Sequence, residues 1–575
     1  MFTILVGTVW AYNCIVQRKF IFRRTILDWP LVIYLSIYLL STLFSIDPRT
    51  SWLGYYSRFN GGLISQICYA LLYWTYVSNL NKKQSLSTMY FVLTSTTIAS
   101  ILAVFEHFGI FSTCGLMGFG WKESCWVQDV QARVFSTLGQ PNWLAALLVI
   151  LIPFTWRKSF KYYLLSILFF VTLLFTKSRS GLLAFGIEAI IFWGFMFKKH
   201  VKEFLILFVI SVILYFIFSS PLTINPQPLT ISNAPALESG GTESSTIRKF
   251  VWLGALKVFI HYPILGTGPE TFAFSYPMFK PVEHNITSEW DFIYNKAHNE
   301  YLNYLANTGF LGIISYLMII YFSILQIYKS KNYAFFAGYI SILVTNFFGF
   351  SIVPVSLLFF LFPAISLVQD TEYKIHLDKT KLKIFEKLAI LGVLLTTYYI
   401  LHTIYSYWKA DYYYAKSDVN NALLISPNEA IYISKLALIN SDVETASKAL
   451  KLSPLNQNIR KVLISNLVKS ADKIPNNLLV AEDIIKEGIN ISPNDPKLYY
   501  QLGMLQLKID KNDDAILNLQ KSIELKPNYK EGHFALGITY KALNEFDKAR
   551  TEFEYILKKI DPSDELTKKY LEELK

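Results

Sequence analysis

Apolar runs near membrane-spanning length recur through the first two thirds of the chain, at roughly 2–17, 29–45, 62–78, 88–109, 142–156, 162–176, 180–197, 203–220, 301–328, 332–348, 351–368 and 388–406. A helix crosses the hydrocarbon core with about 20 apolar residues, so the pattern predicts about twelve spans. The runs at 142–156 and 162–176 are short, which predicts tilting, extension into flanking residues or broken helices. The first run lacks a preceding charged region and a small-residue cleavage site, so it is expected to be a helix and not a removed signal peptide.

Beyond the last run the pattern changes to a repeat. Leu502-Gly503 recurs as Leu536-Gly537, Ala515 as Ala549, Leu519 as Phe553 and Pro493 as Pro527, each 34 residues on. That is the tetratricopeptide period. Small Gly503 and Ala515 let two antiparallel helices approach, a large residue at 519 or 553 fills the gap, and proline closes the unit. Residues 491–575 are therefore expected to be tetratricopeptide repeats, and 410–490, helical in pattern but out of period, degenerate ones. Such a stack offers a surface for a protein partner, or serves as a spacer or dimerisation surface.

Composition agrees with a membrane protein: 53% of residues are hydrophobic, 17% charged, and mean hydropathy is +0.34. A soluble chain carries nearer a quarter charged residues. The net charge of +12 is uneven. From Ala410 onward 23 basic residues face 24 acidic ones, so the excess lies in the membrane half. There it reports orientation and not a nucleic acid partner. Connections 18–24, 79–87, 157–161, 198–202, 329–331 and 370–387 hold 19 Lys and Arg in 47 residues, against 11 in 131 for the alternate set 46–61, 110–141, 177–179 and 221–300. The alternation places both termini, the loop 221–300 and the repeat tail outside a cytoplasmic (inner) membrane.

Few polar residues on that outer side invite chemistry. Arg49, Arg58, Arg133, Arg179 and Arg248 remain where positive charge is otherwise thin; each read alone is a snorkelling anchor. Arg179 lies in the polar hinge Thr176-Lys177-Ser178-Arg179-Ser180-Gly181, and Arg248 in Thr246-Ile247-Arg248-Lys249-Phe250-Val251-Trp252. Two guanidinium forks suit a diphosphate. His298, in Lys296-Ala297-His298-Asn299-Glu300-Tyr301-Leu302, is the histidine in the densest polar setting; it is either structural or a base for an attacking hydroxyl or amine. His107, His261 and His284 are weaker, and His533 belongs to the repeats. Leu265-Gly266-Thr267-Gly268-Pro269-Glu270 lacks the lysine of a P-loop and reads as a turn. Cys14 and Cys68 fall in apolar runs as small buried residues. Cys114 and Cys125 share an outer loop, where a disulfide is permitted. No Cys or His cluster has metal-ligand spacing.

Taken in order, several stretches resemble the bacterial O-antigen ligase and O-antigen polymerase family, which also contains protein O-oligosaccharyltransferases. They are Ser45-Ile46-Asp47-Pro48 with Ser51-Trp52-Leu53-Gly54; Arg58-Phe59-Asn60-Gly61-Gly62; Arg133 to Asn142 with Gly139-Gln140-Pro141-Asn142; Thr176 to Gly181; Arg248 to Trp252; Tyr262-Pro263-Ile264-Leu265-Gly266-Thr267-Gly268; and His298-Asn299 to Leu302 followed by Asn307-Thr308-Gly309-Phe310-Leu311-Gly312. The resemblance runs from about 30 to 370, and members commonly carry an external tetratricopeptide tail. The chain begins one helix later than the family usually does.

The resemblance implies an all-α protein: a polytopic membrane bundle of the C-type glycosyltransferase architecture over 1–409, followed by an α-solenoid. It implies an inverting enzyme without metal, cofactor or nucleotide sugar that passes a glycan from a polyprenyl-diphosphate carrier to a hydroxyl on a lipid, glycan or protein acceptor. Arg179 and Arg248 match the family's diphosphate-binding arginines and His298 the histidine that activates the acceptor; Arg58, Arg133 and Asn142 are further substrate-binding positions. Two readings from other classes compete. A transporter or flippase with a scaffold tail would place ionisable residues within the spans, yet here most polar candidates cluster at outer ends, Glu188 excepted. A docking protein is the other.

Overall fold

The computed structural model describes residues 1–56, 59–219, 242–370 and 382–574. Over these residues the chain is all-helical, with no strand. Five helices are long and apolar enough to cross a membrane: Lys82–His107, Arg179–Met196, Glu300–Lys329, Val353–Asp370 and Ile384–Ala415. Shorter apolar helices, among them Phe2–Val16, Asp28–Leu43, Pro141–Thr155, Phe160–Phe175 and Tyr333–Phe347, join them in one bundle. The chain is thus a multi-pass membrane protein.

One expected break is absent. The segments 180–197 and 203–220 form a single helix, Arg179–Ser219. The basic run 198–202, expected as a loop, lies near its middle. That run holds neither glycine nor proline, so nothing in it ends a helix. At 1.5 Å per residue the helix is about 62 Å long, roughly twice the hydrocarbon core.

Helix Glu300–Lys329 is the central element. It packs along Asp28–Leu43 and against Tyr333–Phe347, Val353–Asp370 and Ser244–His261. The contact is rich in tyrosine: Tyr34 and Tyr304 share a hydroxyl hydrogen bond of 2.8 Å, and Tyr304 stacks on Tyr316 at 4.1 Å. Buried aromatic rings provide packing area, and a buried hydroxyl needs a hydrogen-bond partner, which for Tyr34 is Tyr304.

Gly309 interrupts this helix with φ 65°. Against the break lies the turn at 263–268, whose backbone completes the disrupted ladder: Phe310 N–H donates to Pro263 O at 2.8 Å and Gly268 N–H to Asn307 O at 2.8 Å. A Cβ at Gly309 would lie 2.4 Å from Ile264 backbone, so only glycine admits the crossing. Ser41, Ile46 and Ser51 bond the same turn, at Leu265 O, Thr267 O and Pro269 O. Leu265 to Glu270 is therefore a structural turn that ties three distant stretches together.

The tail consists of helical hairpins. Pro496–Lys508 pairs with Asn512–Leu525, and Lys530–Ala542 with Phe546–Tyr555. A Cβ at Gly503 would meet Leu519 Cγ at 2.8 Å, and one at Gly537 would meet Phe553 at 2.6 Å. The small-against-large pairing is thus the contact that sets each hairpin. Residues 411–490 also form hairpins, Ala430–Asn440 with Val443–Leu452 and Gln457–Ser470 with Asn477–Ile491. They repeat the architecture without its 34-residue spacing. The expected boundary at 409 falls inside the helix Ile384–Ala415.

Candidate functional site

The site is built where the loop that precedes helix Glu300–Lys329 returns to the bundle. Asn299 caps helix Glu300–Lys329, its side chain accepting from Leu302 N–H at 3.1 Å. The residue before the cap, His298, adopts φ 54°, which turns the chain sharply out of the loop. Its Nδ1 lies 3.1 Å from the carbonyl oxygen of Lys296. A carbonyl only accepts, so in the neutral ring Nδ1 carries the proton and Nε2 the lone pair. Tyr294 and Phe350 set the ring edgewise, with centroids at 5.6 and 5.4 Å.

His298 lines a cavity of about 310 Å³ together with Arg133, Asn142, Arg248, Glu289 and Tyr294. Trp143, Ser180, Ser244, Asn346 and Phe350 complete much of its wall. Arg248 comes from helix Ser244–His261 and is half-buried. Burial lowers its pKa, Glu289 opposes this, and Arg133 adds to it. Two guanidiniums are therefore close enough to repel one another, an arrangement that favours a polyanion between them. Arg133 donates from Nε to Thr176 O at 3.2 Å and from Nη2 to Asn142 Oδ1 at 3.4 Å, which orients both side chains. Tyr294 donates its hydroxyl to Glu289; burial raises its pKa and keeps that proton in place.

Arg179 is placed differently. It opens the helix Arg179–Ser219, after Lys177 at φ 50°. Its side chain is 94% exposed and reaches Glu243 at 3.6 Å. The next residue, Ser180, lines the cavity, as does Ser244 beside Glu243. Arg179 therefore stands outside the cavity wall, at its rim. Arg58 lies outside the described residues.

Behind His298 is a second, smaller chamber of about 30 Å³, lined by Glu270, Lys296, Glu300, Asn303 and Asn307 among others. Lys296 pairs with Glu270 there, both almost wholly buried. Glu300 accepts from Ser351 N–H at 3.3 Å. Lys296 thus fixes the segment from one side by its ammonium and from the other by the carbonyl that holds His298.

Sequence reasoning missed Glu289 and Tyr294. Glu289 stands in Ser288-Glu289-Trp290, a context with no feature to distinguish it from a solvated loop acid; only the fold carries it to Arg248. Cys114 and Cys125, whose pairing the sequence leaves open, are bonded. His284 is buried and not in the cavity. Among the described residues no group of His, Cys, Asp and Glu is arranged to hold a metal.

Residues 164–317, which include Arg179, Arg248 and His298, match the family model described as O-antigen ligase. The chain is 32% identical over 87 residues to a protein of Dictyostelium discoideum described as STIP1 homolog; the match covers 15% of this chain, and the chain spans 15% of that relative's length. Among solved structures, a thermophilic tetratricopeptide protein of Thermus thermophilus aligns at 17% identity over 30% of this chain and 98% of its own, with a TM-score of 0.23. MamA of Desulfovibrio magneticus aligns at 18% identity over 27% and 93%, with a TM-score of 0.24. Residues 164–317 thus match the O-antigen ligase family model, within a multi-pass helical membrane protein whose tail is built of tetratricopeptide-like hairpins.

Proposed function

We propose that the chain transfers a glycan from a polyprenyl-diphosphate carrier to an acceptor hydroxyl at the outer face of the cytoplasmic membrane. In this reading residues 1–409 form the catalytic membrane part, 410–490 degenerate repeats and 491–575 regular ones, all of the tail being extracytoplasmic. The observation that carries it is the cavity that joins one histidine, its lone pair on Nε2, with two arginines. His298 Nε2 takes the proton of the acceptor hydroxyl while that oxygen attacks the anomeric carbon. The bond from that carbon to the diphosphate breaks, and the departing oxygen's charge is met by Arg248. Arg179 leaves Glu243 and closes over the second phosphate; Arg133 and Asn142 line the path, and Arg58 is a further substrate-binding position in this reading. A single displacement inverts the anomeric centre. The step needs neither metal nor nucleotide sugar, because the diphosphate is already a good leaving group.

Ligation to a lipid, polymerisation of glycan units and transfer to protein share this donor chemistry and differ in the acceptor. The test is transfer in liposomes from a polyprenyl-diphosphate glycan to lipid, glycan and peptide acceptors. Arg248→Ala is expected to lower transfer by about 10²–10³-fold, the usual cost of removing one donor from a developing oxyanion. Arg179→Ala is expected to lose less, since its charge is solvated before the donor binds. Transfer at the wild-type rate by both variants would overturn the assignment.

Orientation has its own test. Cysteines introduced by Lys249→Cys and Lys558→Cys, both exposed, are expected to react with an impermeant maleimide added to intact spheroplasts. Protection of both until lysis would reverse the topology.

A further inference from the structure

The repeat tail grips the outer loop at a site directly behind the cavity. Asn285 is completely buried, and its Nδ2 donates to Asn494 O at 2.9 Å and Leu525 O at 3.1 Å, both carbonyls of the tail. Its own carbonyl accepts from Lys526 Nζ at 3.1 Å. Lys526 is itself 2% exposed, also donates to Asn528 Oδ1 at 2.9 Å, and lies 4.6 Å from the Trp290 ring centre. Lys497 lies 4.9 Å from the same ring and pairs with Asp291. Asn494 returns a bond to Lys280 O at 2.7 Å. A wholly buried amide with both hydrogens given to another part of the chain is a seat that the two parts hold in common.

The loop so held carries two walls of the cavity. Three residues of chain separate Asn285 from Glu289, the carboxylate that faces Arg248. On its other side Asn285 adjoins His284, which is also wholly buried, bonds Tyr276 through Nδ1 at 2.6 Å, and packs its ring 5.2 Å from that of Tyr294. Tyr294 is the ring set edgewise on His298. Apart from a short 3-10 turn at Val282–Ile286, residues 281–299 have no regular structure. Their geometry is fixed by what they touch, and the tail supplies much of that contact.

We infer that Asn285 and Lys526 are positioning residues: the docked repeat tail holds Glu289 and Tyr294 in place, and through them Arg248 and His298, so that the membrane domain's site is complete only with its tail seated. The inference rests on the glycan-transfer reading for its activity arm and on the contacts alone for its structural arm.

The experiment uses the full-length protein in liposomes with Lys526→Met, Lys526→Arg and, as a control on the tail surface, Lys558→Ala. Methionine keeps the stem and removes the donor and the charge; arginine keeps both. Hydrogen exchange of residues 286–298 and the kinetics of glycan transfer are measured on each. Lys526→Met is expected to raise exchange of 286–298 by at least about tenfold and to lower kcat by about tenfold or more, with the donor KM within about twofold, as expected when reacting groups lose alignment and not affinity. Lys526→Arg and Lys558→Ala are expected to match wild type in both. Exchange that changes only within 494–530, or loop exchange that rises while kcat stays at the wild-type value, would overturn the inference. So would a fall in kcat without a change in loop exchange. Were the wild-type protein to transfer no glycan, the proposed function would fail by itself, and loop exchange would still decide whether the tail orders the loop.

Discussion

Replacing His298 with alanine is expected to lower the rate of glycan transfer by about 10²–10⁴-fold, the range that a positioned general base contributes. The donor KM should change little, because the proposed mechanism gives the diphosphate to the arginines and not to the imidazole. The size of the loss follows from how the ring is held. Its Nδ1 is committed to the Lys296 carbonyl, and Tyr294 and Phe350 flank the ring, so one tautomer and one orientation are available when the acceptor arrives. His298→Gln places an amide where the ring was but no nitrogen of suitable basicity, and should lose nearly as much as alanine. Single-turnover transfer with saturating donor measures the chemical step directly. A His298→Ala protein that stays folded and transfers within about threefold of wild type would show that another group takes the proton, and Glu289, in the same cavity, would be the first to test.

The second large effect concerns stability. Lys296→Met removes the partner of Glu270 in a chamber where both side chains are at most 7% exposed. Breaking a buried ion pair from one side costs about 3–5 kcal/mol, because the remaining charge is left uncompensated. Glu270 is poorly served otherwise: its Oε2 has no partner among the described contacts. The double change Lys296→Met with Glu270→Gln replaces the charge by a neutral amide and is expected to recover most of the loss. Thermal unfolding of the purified protein in detergent, read as a double-mutant cycle, checks this. Equal destabilisation by the single and double variants would mean that the loss comes from the hydrogen bond Lys296 gives up and not from an uncompensated charge on Glu270.

Much of the fold could be read in the sequence because the signals were long or periodic. Apolar runs located helices at all of the expected positions, and a spacing of 34 residues exposed the hairpins of the tail. Glycine against a large apolar residue, as at Gly503 with Leu519, is a local rule that survives folding. The unbroken helix through 198–202 was not legible, since a basic run reads equally as a cytoplasmic loop or as the polar face of a helix. The hairpins between 411 and 490 were legible only as helical and out of period, because their packing keeps the architecture while their spacing drifts.

For the site, the candidate residues were legible one by one and their grouping was not. His298, Arg248, Arg133 and Asn142 line one cavity because the turn at 263–268 locks onto the break at Gly309 and brings the loop back to the bundle. Nothing in a one-dimensional reading measures that closure. Arg179 sits at the rim, as the first residue of its helix, and Ser180 has the lining position instead. Glu289 is part of the same difficulty, an unremarkable loop acid until helix Ser244–His261 is folded beside it.

The helix Ile384–Ala415 leads from the apolar bundle straight into the repeats without a joint. Its 32 residues make a rod about 48 Å long, some 18 Å more than the hydrocarbon core requires. A rod of this kind transmits rotation as well as length: each residue along it turns the rest of the chain by about 100°. The number of residues between Ile384 and Ala415 therefore sets the azimuth of the solenoid, and with it whether Glu429 meets Arg49 and Lys497 meets Asp291. Helical phase, more than reach, decides that the tail faces its seat.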